Sequence, residues 1–167
     1  MKAKELCRQE ILSSRALLPA AARNAAGAAL ATALRDVLRA ANRVAGYAAF
    51  RTEPPTADAL ALCREVLLPV LLPDRDLDWA ASDGTLLGPD AIATCDVVLV
   101  PALAVDHSGN RLGRGGGSYD RALRRARGLT IAVLYDDELF DALPAEPHDV
   151  VVGAVVMPSS GLTHLPL

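Results

Sequence analysis

The feature that most limits how this chain can fold is a set of short apolar runs: "DVVLVP" from Asp96 to Pro101, "IAVLY" from Ile131 to Tyr135 and "VVVGAVV" from Val150 to Val156. They do not alternate apolar with polar residues, so a strand built from any of them must be covered on both faces. "RVAGYAAF" (Arg43 to Phe50), "EVLLPV" (Glu65 to Val70) and "LDWAA" (Leu77 to Ala81) read as further strands. Between them lie helical stretches. One runs from Lys2 to Leu18, stopped by Pro19, and an Ala-rich one fills Ala20 to Ala41. A third, with Thr56 as N-cap, covers Ala57 to Cys63, and a fourth covers Ser118 to Arg127. Such alternation predicts an α/β fold, a mostly parallel sheet with helices on both faces in a Rossmann-like three-layer arrangement. At 167 residues and 51% hydrophobic content, with no repeat or linker, the chain is expected to form one domain over 1–167.

Charge narrows the partners. A net charge of -3, spread over 17 basic and 20 acidic residues, excludes a general nucleic-acid or anionic-membrane surface and leaves room only for a local cationic pocket. The expected partner is small, with no nucleic acid and no membrane, and the chain is expected to act as a monomer. Cys7, Cys63 and Cys95 are odd in number and lack metal-ligand spacing, and the N-terminus has no apolar signal core, so the reducing cytoplasm is the expected compartment. The Ala20 to Ala33 tract is interrupted by Arg23, Asn24 and Gly27 and does not reach membrane-spanning length.

In "VPALAVDHSGNRLGRGGGSYDRAL", beginning at Val100, Gly113, Gly115, Gly116 and Gly117 crowd into five positions. They fall where the Asp96 to Pro101 strand hands over to the next helix, the end of a sheet at which α/β folds bind ligands. Glycines let backbone N–H groups approach an anion closely, the following helix N-terminus favours phosphate, and Arg111 and Arg114 add charge. The spacing matches neither the dinucleotide fingerprint nor the P-loop, which ends in Gly-Lys-Ser/Thr. From this loop alone, a phosphate cradle and a plain turn with solvated arginines both stand.

The first helix favours the cradle. At about 100° per residue, Lys4, Arg8 and Arg15 fall within about 40° of one another. Cys7, Ile11 and Leu18 flank this stripe on one side and Leu12 on the other, whereas Glu5, Gln9, Glu10 and Ser13 face away. A merely solvated cationic face would lie opposite the apolar one; here the two coincide, which predicts something anionic underneath. Asp120, in the first turn after the glycines, reads either as a capping carboxylate or as a magnesium ligand. Asp149, in "EPHDVVV", carries the same two readings, a turn residue or a hard oxygen ligand, and His148 beside it is read as structural. Tyr119 is placed to stack on a flat heterocycle or to fill the core. Glu53 alone reads as a solvated loop acid.

Taken together, the RLGRGGGSYD segment, the Lys4/Arg8/Arg15 spacing, "Y…RTEPPT" around Tyr47 to Thr56 and "LPAEPHDVVV" from Leu143 to Val152 resemble the 5-formyltetrahydrofolate cyclo-ligase family over nearly the whole chain. The resemblance implies an α/β fold that binds ATP and Mg²⁺. It also implies conversion of 5-formyltetrahydrofolate and ATP into 5,10-methenyltetrahydrofolate, ADP and phosphate. By the same resemblance, Lys4 and Arg8 contact nucleotide phosphates, with Arg114 as a third catalytic cation. Arg111, Leu112, Gly113, Arg114, Gly115, Gly116, Gly117, Ser118 and Tyr119 wrap ATP. Gly116 and Tyr119 also border the folate, which Glu53 binds, and Asp120 and Asp149 match the magnesium positions.

The implied chemistry suits these residue types, because phosphoryl transfer is catalysed mainly by positioning and by cations that neutralise developing charge. The chain departs from the family pattern at Gly88 before Pro89, at Asp136 and Asp137 where Gln is common, and at Met157 to Ser160, which lack Thr-Glu. These departures are expected to bear on the substrate side more than on the ATP side. Two other functions remain open: a different ATP-using or phosphate-binding enzyme on the same scaffold, and a non-catalytic nucleotide-binding module.

Overall fold

The computed structural model describes residues 2–167. In chain order the elements are α1 (Lys2–Ala16), α2 (Ala20–Ala40), β1 (Val44–Ala45), α3 (Ala57–Leu60), β2 (Val66–Leu71), β3 (Leu77–Ala80), β4 (Val97–Pro101), β5 (Ala104–Asp106), β6 (Arg111–Leu112), α4 (Ser118–Leu123), β7 (Leu129–Val133), β8 (Leu139–Phe140), β9 (Ala154–Met157) and β10 (Gly161–His164). One sheet has the order β10-β9-β7-β4-β1-β2-β3, and β6-β5-β8 form a small second sheet. From β9 to β2 all neighbours are parallel; only the edge strands β10 and β3 run antiparallel.

The runs in β4 and β7 are buried on both sides, as their lack of alternation requires; the third expected strand, Val150 to Val156, forms only over Ala154–Met157, and Val151 is 53% exposed. Val97, Leu99, Ile131, Val133, Ala154 and Val156 face α2 and α3, where Leu30, Leu34, Leu38 and Ala59 cover them. The intervening Val98, Val100, Ala132, Val155 and Met157 face the opposite layer, formed with Ala122 and Leu123 of α4, Ile92 of a 3₁₀ turn and Trp79. The expected α/β layering is therefore present. Among the described residues, no helix is long and apolar enough to cross a membrane.

Several local expectations differ. The strand expected over Arg43 to Phe50 pairs only at Val44–Ala45, after which the chain turns away over the sheet end. The fourth helix has six residues (Ser118–Leu123) and does not extend to Arg127. Thr56 does not cap α3; its hydroxyl donates instead to the Tyr47 carbonyl at 2.6 Å, tying the loop after β1 to the helix start. The β5–β6 hairpin lies between β4 and the glycines. Asp106, 2% exposed, shapes its turn by accepting N–H bonds from Ser108, Asn110 and Leu143. Burial alone would raise the Asp106 pKa, but these bonds and the Asn110 side chain hold it below the usual value.

Helix α1 packs on the small sheet through Ile11, Leu12 and Cys7 against Leu103, Ala104 and Leu112. The anion expected under its cationic stripe is, for Arg15, the protein's own. Arg15 is 1% exposed and donates to both Glu138 oxygens at 2.8 Å and to the Ala102 carbonyl at 2.7 Å. Glu138 in turn accepts the Tyr135 N–H at 3.0 Å. This buried pair locks α1 onto the turn after β7. Arg15→Met leaves Glu138 buried and unpaired, so urea denaturation should report a loss of about 3–5 kcal/mol, most of it recovered when Glu138→Leu is added.

A second tie joins the end of α4 to β3. Arg125 grips Asp76 through both oxygens at 2.8 and 2.7 Å, and this contact lowers the carboxyl pKa to about 2. Because the folded value lies below the unfolded one of about 3.9, the stabilisation is complete above that value and fades as the pH falls toward about 2. Thermal melts from pH 5 to pH 2 should show a falling Tm, less steep in Asp76→Asn.

Candidate functional site

β1 and β4 are neighbours, but the chain leaves β1 toward β2 on one side and leaves β4 toward β7 on the other. The loops at their carboxyl ends diverge, which opens a crevice at the switch point. A cavity of about 990 Å³ lies there. Tyr47 and Glu53 come from the loop after β1, Pro101 to Leu103 from the end of β4, and Lys4, Arg8 and Arg15 from α1. Residues Arg111 to Asp120 form another wall, and Asp149 closes the rim. Every site residue expected from the sequence lines this one cavity.

The β5–β6 hairpin carries the chain back from β4 before releasing it into the glycine loop. Gly113 lends its carbonyl to Arg8 Nε at 2.8 Å. Gly115 and Gly117 have φ of 103° and 76°, values that L side chains rarely adopt. Gly116 has ordinary φ, and a Cβ there would meet only Arg75 Nη2, at 3.3 Å, so the absent side chain leaves open space. Among the described residues, the N–H groups of Gly115, Gly116 and Gly117 donate to no backbone carbonyl or side chain. Unpaired donors around open space, beside cations, make an anion cradle. The six-residue α4 adds little field of its own, contrary to the longer helix expected.

Each inner cation is held by an acid of the protein. Lys4 Nζ sits 3.0 Å from Asp149 Oδ2 and 3.6 Å from Glu146. Burial raises the Asp149 pKa, but the Glu146 N–H and the Lys4 ammonium outweigh it and the net shift is downward. Arg111 donates to the Pro101 carbonyl at 2.9 Å, stands 3.6 Å from Asp120 and lies 5.8 Å from the Tyr119 ring centre. Burial lowers its pKa, opposed by Asp120 and Tyr119. Arg114 is exposed and lies over the Phe50 ring at 5.8 Å. Leu112 is buried beneath α1 and shapes the wall by packing, and Ser118 begins α4 at the cavity edge.

The floor carries buried polar groups. Glu53, 9% exposed, is not the solvated acid of the simplest reading: it accepts the Phe50 N–H at 2.7 Å and has no cationic partner within 4 Å among the described residues. The Tyr47 and Tyr119 hydroxyls and Arg111 Nε are buried without a protein partner. Burial raises both tyrosine pKa values, and Glu53 adds to the shift, so both remain neutral donors. Buried polar atoms are ordinarily satisfied, so such a cluster suits a polar ligand.

Asp120 and Asp149 are the hard-oxygen donors on the wall. Among the described residues, no group of three or more His, Cys, Asp or Glu gathers into a metal cage. Two carboxylates beside an anion cradle fit Mg²⁺, which is held through one or two carboxylates together with substrate phosphates.

Sequence reasoning assigned no role to Tyr47, Phe50, Pro69 or Leu71, which complete the floor and mouth. No spacing marks them, because they converge from the loop after β1 and from β2. None of the departures at Gly88, Asp136, Asp137 and Met157 lines the cavity. Gly88 donates to Asp78, Asp136 accepts from the Ser159 N–H and hydroxyl, and Met157 is buried in the sheet.

The model of the 5-formyltetrahydrofolate cyclo-ligase family matches residues 1–158. The chain is 37% identical to the 5-formyltetrahydrofolate cyclo-ligase of Mycolicibacterium smegmatis, over 98% of each chain. It is 38% identical to the Escherichia coli K12 enzyme of that name over 41% of this chain and 39% of that one. The 5,10-methenyltetrahydrofolate synthetase structure of Aquifex aeolicus superposes with a TM-score of 0.83 at 23% identity, covering 97% of this chain and 92% of that one. That of Mycoplasma pneumoniae gives 0.79 at 21%, covering 91% and 96%. At these identities the two structures share the fold.

If the glycine loop cradles phosphate, Gly116→Val fills the open space without backbone strain. Circular dichroism should show a folded protein, and calorimetric titration should show ATP binding weakened at least tenfold. Unchanged ATP affinity rejects the cradle.

Proposed function

Because the chain belongs to the 5-formyltetrahydrofolate cyclo-ligase family, we infer that it closes 5-formyltetrahydrofolate to 5,10-methenyltetrahydrofolate at the expense of ATP, releasing ADP and phosphate. The observation that carries this reading is the pairing, in one cavity, of an anion cradle with a buried acid that has no cationic partner, Glu53.

A formamide oxygen is a poor leaving group. Transfer of the γ-phosphoryl to that oxygen gives an imidate phosphate and ADP. The neighbouring folate nitrogen, N10, then attacks the activated carbon, loses its proton and expels phosphate as the five-membered ring closes. The protein supplies no nucleophile. Its task is to hold two substrates in line and neutralise charge in a site shielded from water. Lys4 and Arg8 would meet the phosphates, the N–H groups of Gly115 to Gly117 would bind their oxygens, and Arg114 would approach from the mouth. Glu53 and Tyr119 would orient the pterin, the first by accepting N–H bonds from its edge, the second against its face. Asp120 and Asp149 would hold Mg²⁺, which supplies charge neutralisation at the phosphate oxygens when bound. Lys4 would exchange Asp149 for phosphate as nucleotide arrives. The reading takes residues 1–167 as one domain working as a monomer in the cytoplasm. Cys7, Cys63 and Cys95 are free thiols, which suits a reducing compartment.

The primary test is ATP-dependent appearance of the methenyl-folate absorbance, with ADP measured in parallel. ADP release without methenyl-folate favours a different ATP-using enzyme, and ATP binding without turnover favours a nucleotide-binding module. Lys4→Met keeps the aliphatic stem and removes the charge, so turnover should fall about 10²- to 10³-fold while folding survives. A rate within about twofold of wild type, or about 0.4 kcal/mol, rejects phosphate contact by this lysine.

A further inference from the structure

We propose that a second cavity, set between α1, α2 and the turn after β7, binds a small organic cation: a protonated amine carried on an apolar body. The proposal stands apart from the cyclo-ligase reading, because among the described residues the two cavities share only Arg15.

The second cavity has a volume of about 680 Å³, a size typical of small-molecule sites. Its origin is visible in α2. Ala22, Ala26, Leu30, Leu34 and Leu38 recur every four positions, so they share one face of that helix. The three leucines are buried against the sheet. Toward the N-terminus the face changes to alanine, and Ala22, Ala25, Ala26 and Ala29 line open space where longer side chains would pack. Ile11 of α1, Phe140 of β8 and Pro158 after β9 complete an apolar wall.

Charge selects the sign of the ligand. Glu10, Asp136, Asp137 and Glu138 line the cavity against a single cation, Arg15. That guanidinium is already committed to both Glu138 oxygens. Asp136 accepts from Ser159 alone. Glu10 and Asp137 are exposed and have no cation within 4 Å among the described residues.

Acids at a surface are ordinary by themselves. The independent sign of a ligand is Tyr135, which belongs to the wall of this cavity and not of the first. It is 9% exposed, and its hydroxyl is buried without a protein partner. Buried polar atoms are ordinarily matched, so this one calls for a partner from outside the chain. Burial raises the pKa of the hydroxyl, which stays neutral and accepts an N–H. An ammonium group satisfies both observations, donating to Tyr135 and facing the carboxylates, while its hydrocarbon part covers the alanines. A bare metal ion does not fit: among the described residues no three His, Cys, Asp or Glu gather to hold one, and the apolar wall would stay uncovered.

Phenethylamine is the probe, with 2-phenylethanol and 3-phenylpropionate as neutral and anionic counterparts of similar shape. Calorimetric titration of the full chain at neutral pH and low salt should show saturable binding of phenethylamine, about tenfold tighter than 2-phenylethanol, and none of 3-phenylpropionate. The preference should shrink as ionic strength rises. Asp137→Asn and Tyr135→Phe should each weaken binding about fivefold. Ala26→Leu extends the leucine row into the cavity and should abolish binding; should it fail to fold, the exposed Asp137→Asn change still decides. The first cavity is the rival site, because Glu53 also lacks a cationic partner there, so Glu53→Gln should leave phenethylamine affinity unchanged. The proposal is overturned by absence of phenethylamine binding, by equal affinity for the three probes, or by unchanged affinity in both Asp137→Asn and Tyr135→Phe. Binding that survives in folded Ala26→Leu, or is lost in Glu53→Gln, overturns it as well. A protein that sediments as a dimer, and as a monomer in Ala26→Leu, assigns the groove to a second copy of the chain and also overturns it.

Discussion

The structure depends on the burial of its central strands from both sides. Val97 to Val100 send alternate side chains into two apolar layers, and β7 and β9 do the same. A sheet so covered offers its ends, not its faces, to a ligand. With β1 and β4 adjacent but connected in opposite directions, the crevice at their carboxyl ends follows from topology alone. Everything chemical is then brought to that crevice by segments outside the sheet: α1, the glycine loop, and the rim that carries Asp149.

Those segments are held by charge as much as by packing. Helix α1 has a modest apolar contact with the small sheet and is fixed by the buried Arg15–Glu138 pair. The remaining cations are neutralised internally, Lys4 by Asp149 and Glu146, and Arg111 by Asp120. In the ligand-free cavity each acid spares a cation the cost of standing unpaired in a partly desolvated place. On the proposed reading, a polyphosphate with its metal would offer exchange on both sides, cation to phosphate and carboxylate to metal. Part of the attraction would then go to breaking existing pairs, which would favour a ligand that satisfies both partners over a simple anion.

The sheet was legible because uninterrupted apolar runs of five or six residues have few other solutions, and the glycine loop because four glycines in five positions are hard to explain without a close approach. Less legible were elements defined by pairing alone. β1 is two residues long, β6 and β8 likewise, and no local preference marks their limits. Glu53 reads from its surroundings as solvated, since nothing in "RTEPPT" reveals that its carboxylate folds back onto the Phe50 N–H and is 9% exposed. Positive φ at Arg51 and Arg75 is equally silent in the sequence, because Arg is not a residue that announces it.

Arg15 marks the limit of the helical-stripe argument. Two of the three cations in α1 have an acid from elsewhere in the chain beneath them, Asp149 for Lys4 and Glu138 for Arg15, whereas Arg8 meets the Gly113 carbonyl and Glu5 of its own helix. The spacing carries no information on whether an anion beneath such a cation is part of the chain. Burial separates the cases: Arg15, at 1% exposure, commits Nε and Nη2 to Glu138 and the Ala102 carbonyl, whereas Lys4 and Arg8 keep side chains about one-fifth exposed at the cavity. The distinction arises where α1 meets the sheet: its C-terminal end lies over the interior beside the turn after β7, and its N-terminal end projects past the sheet edge to the open crevice.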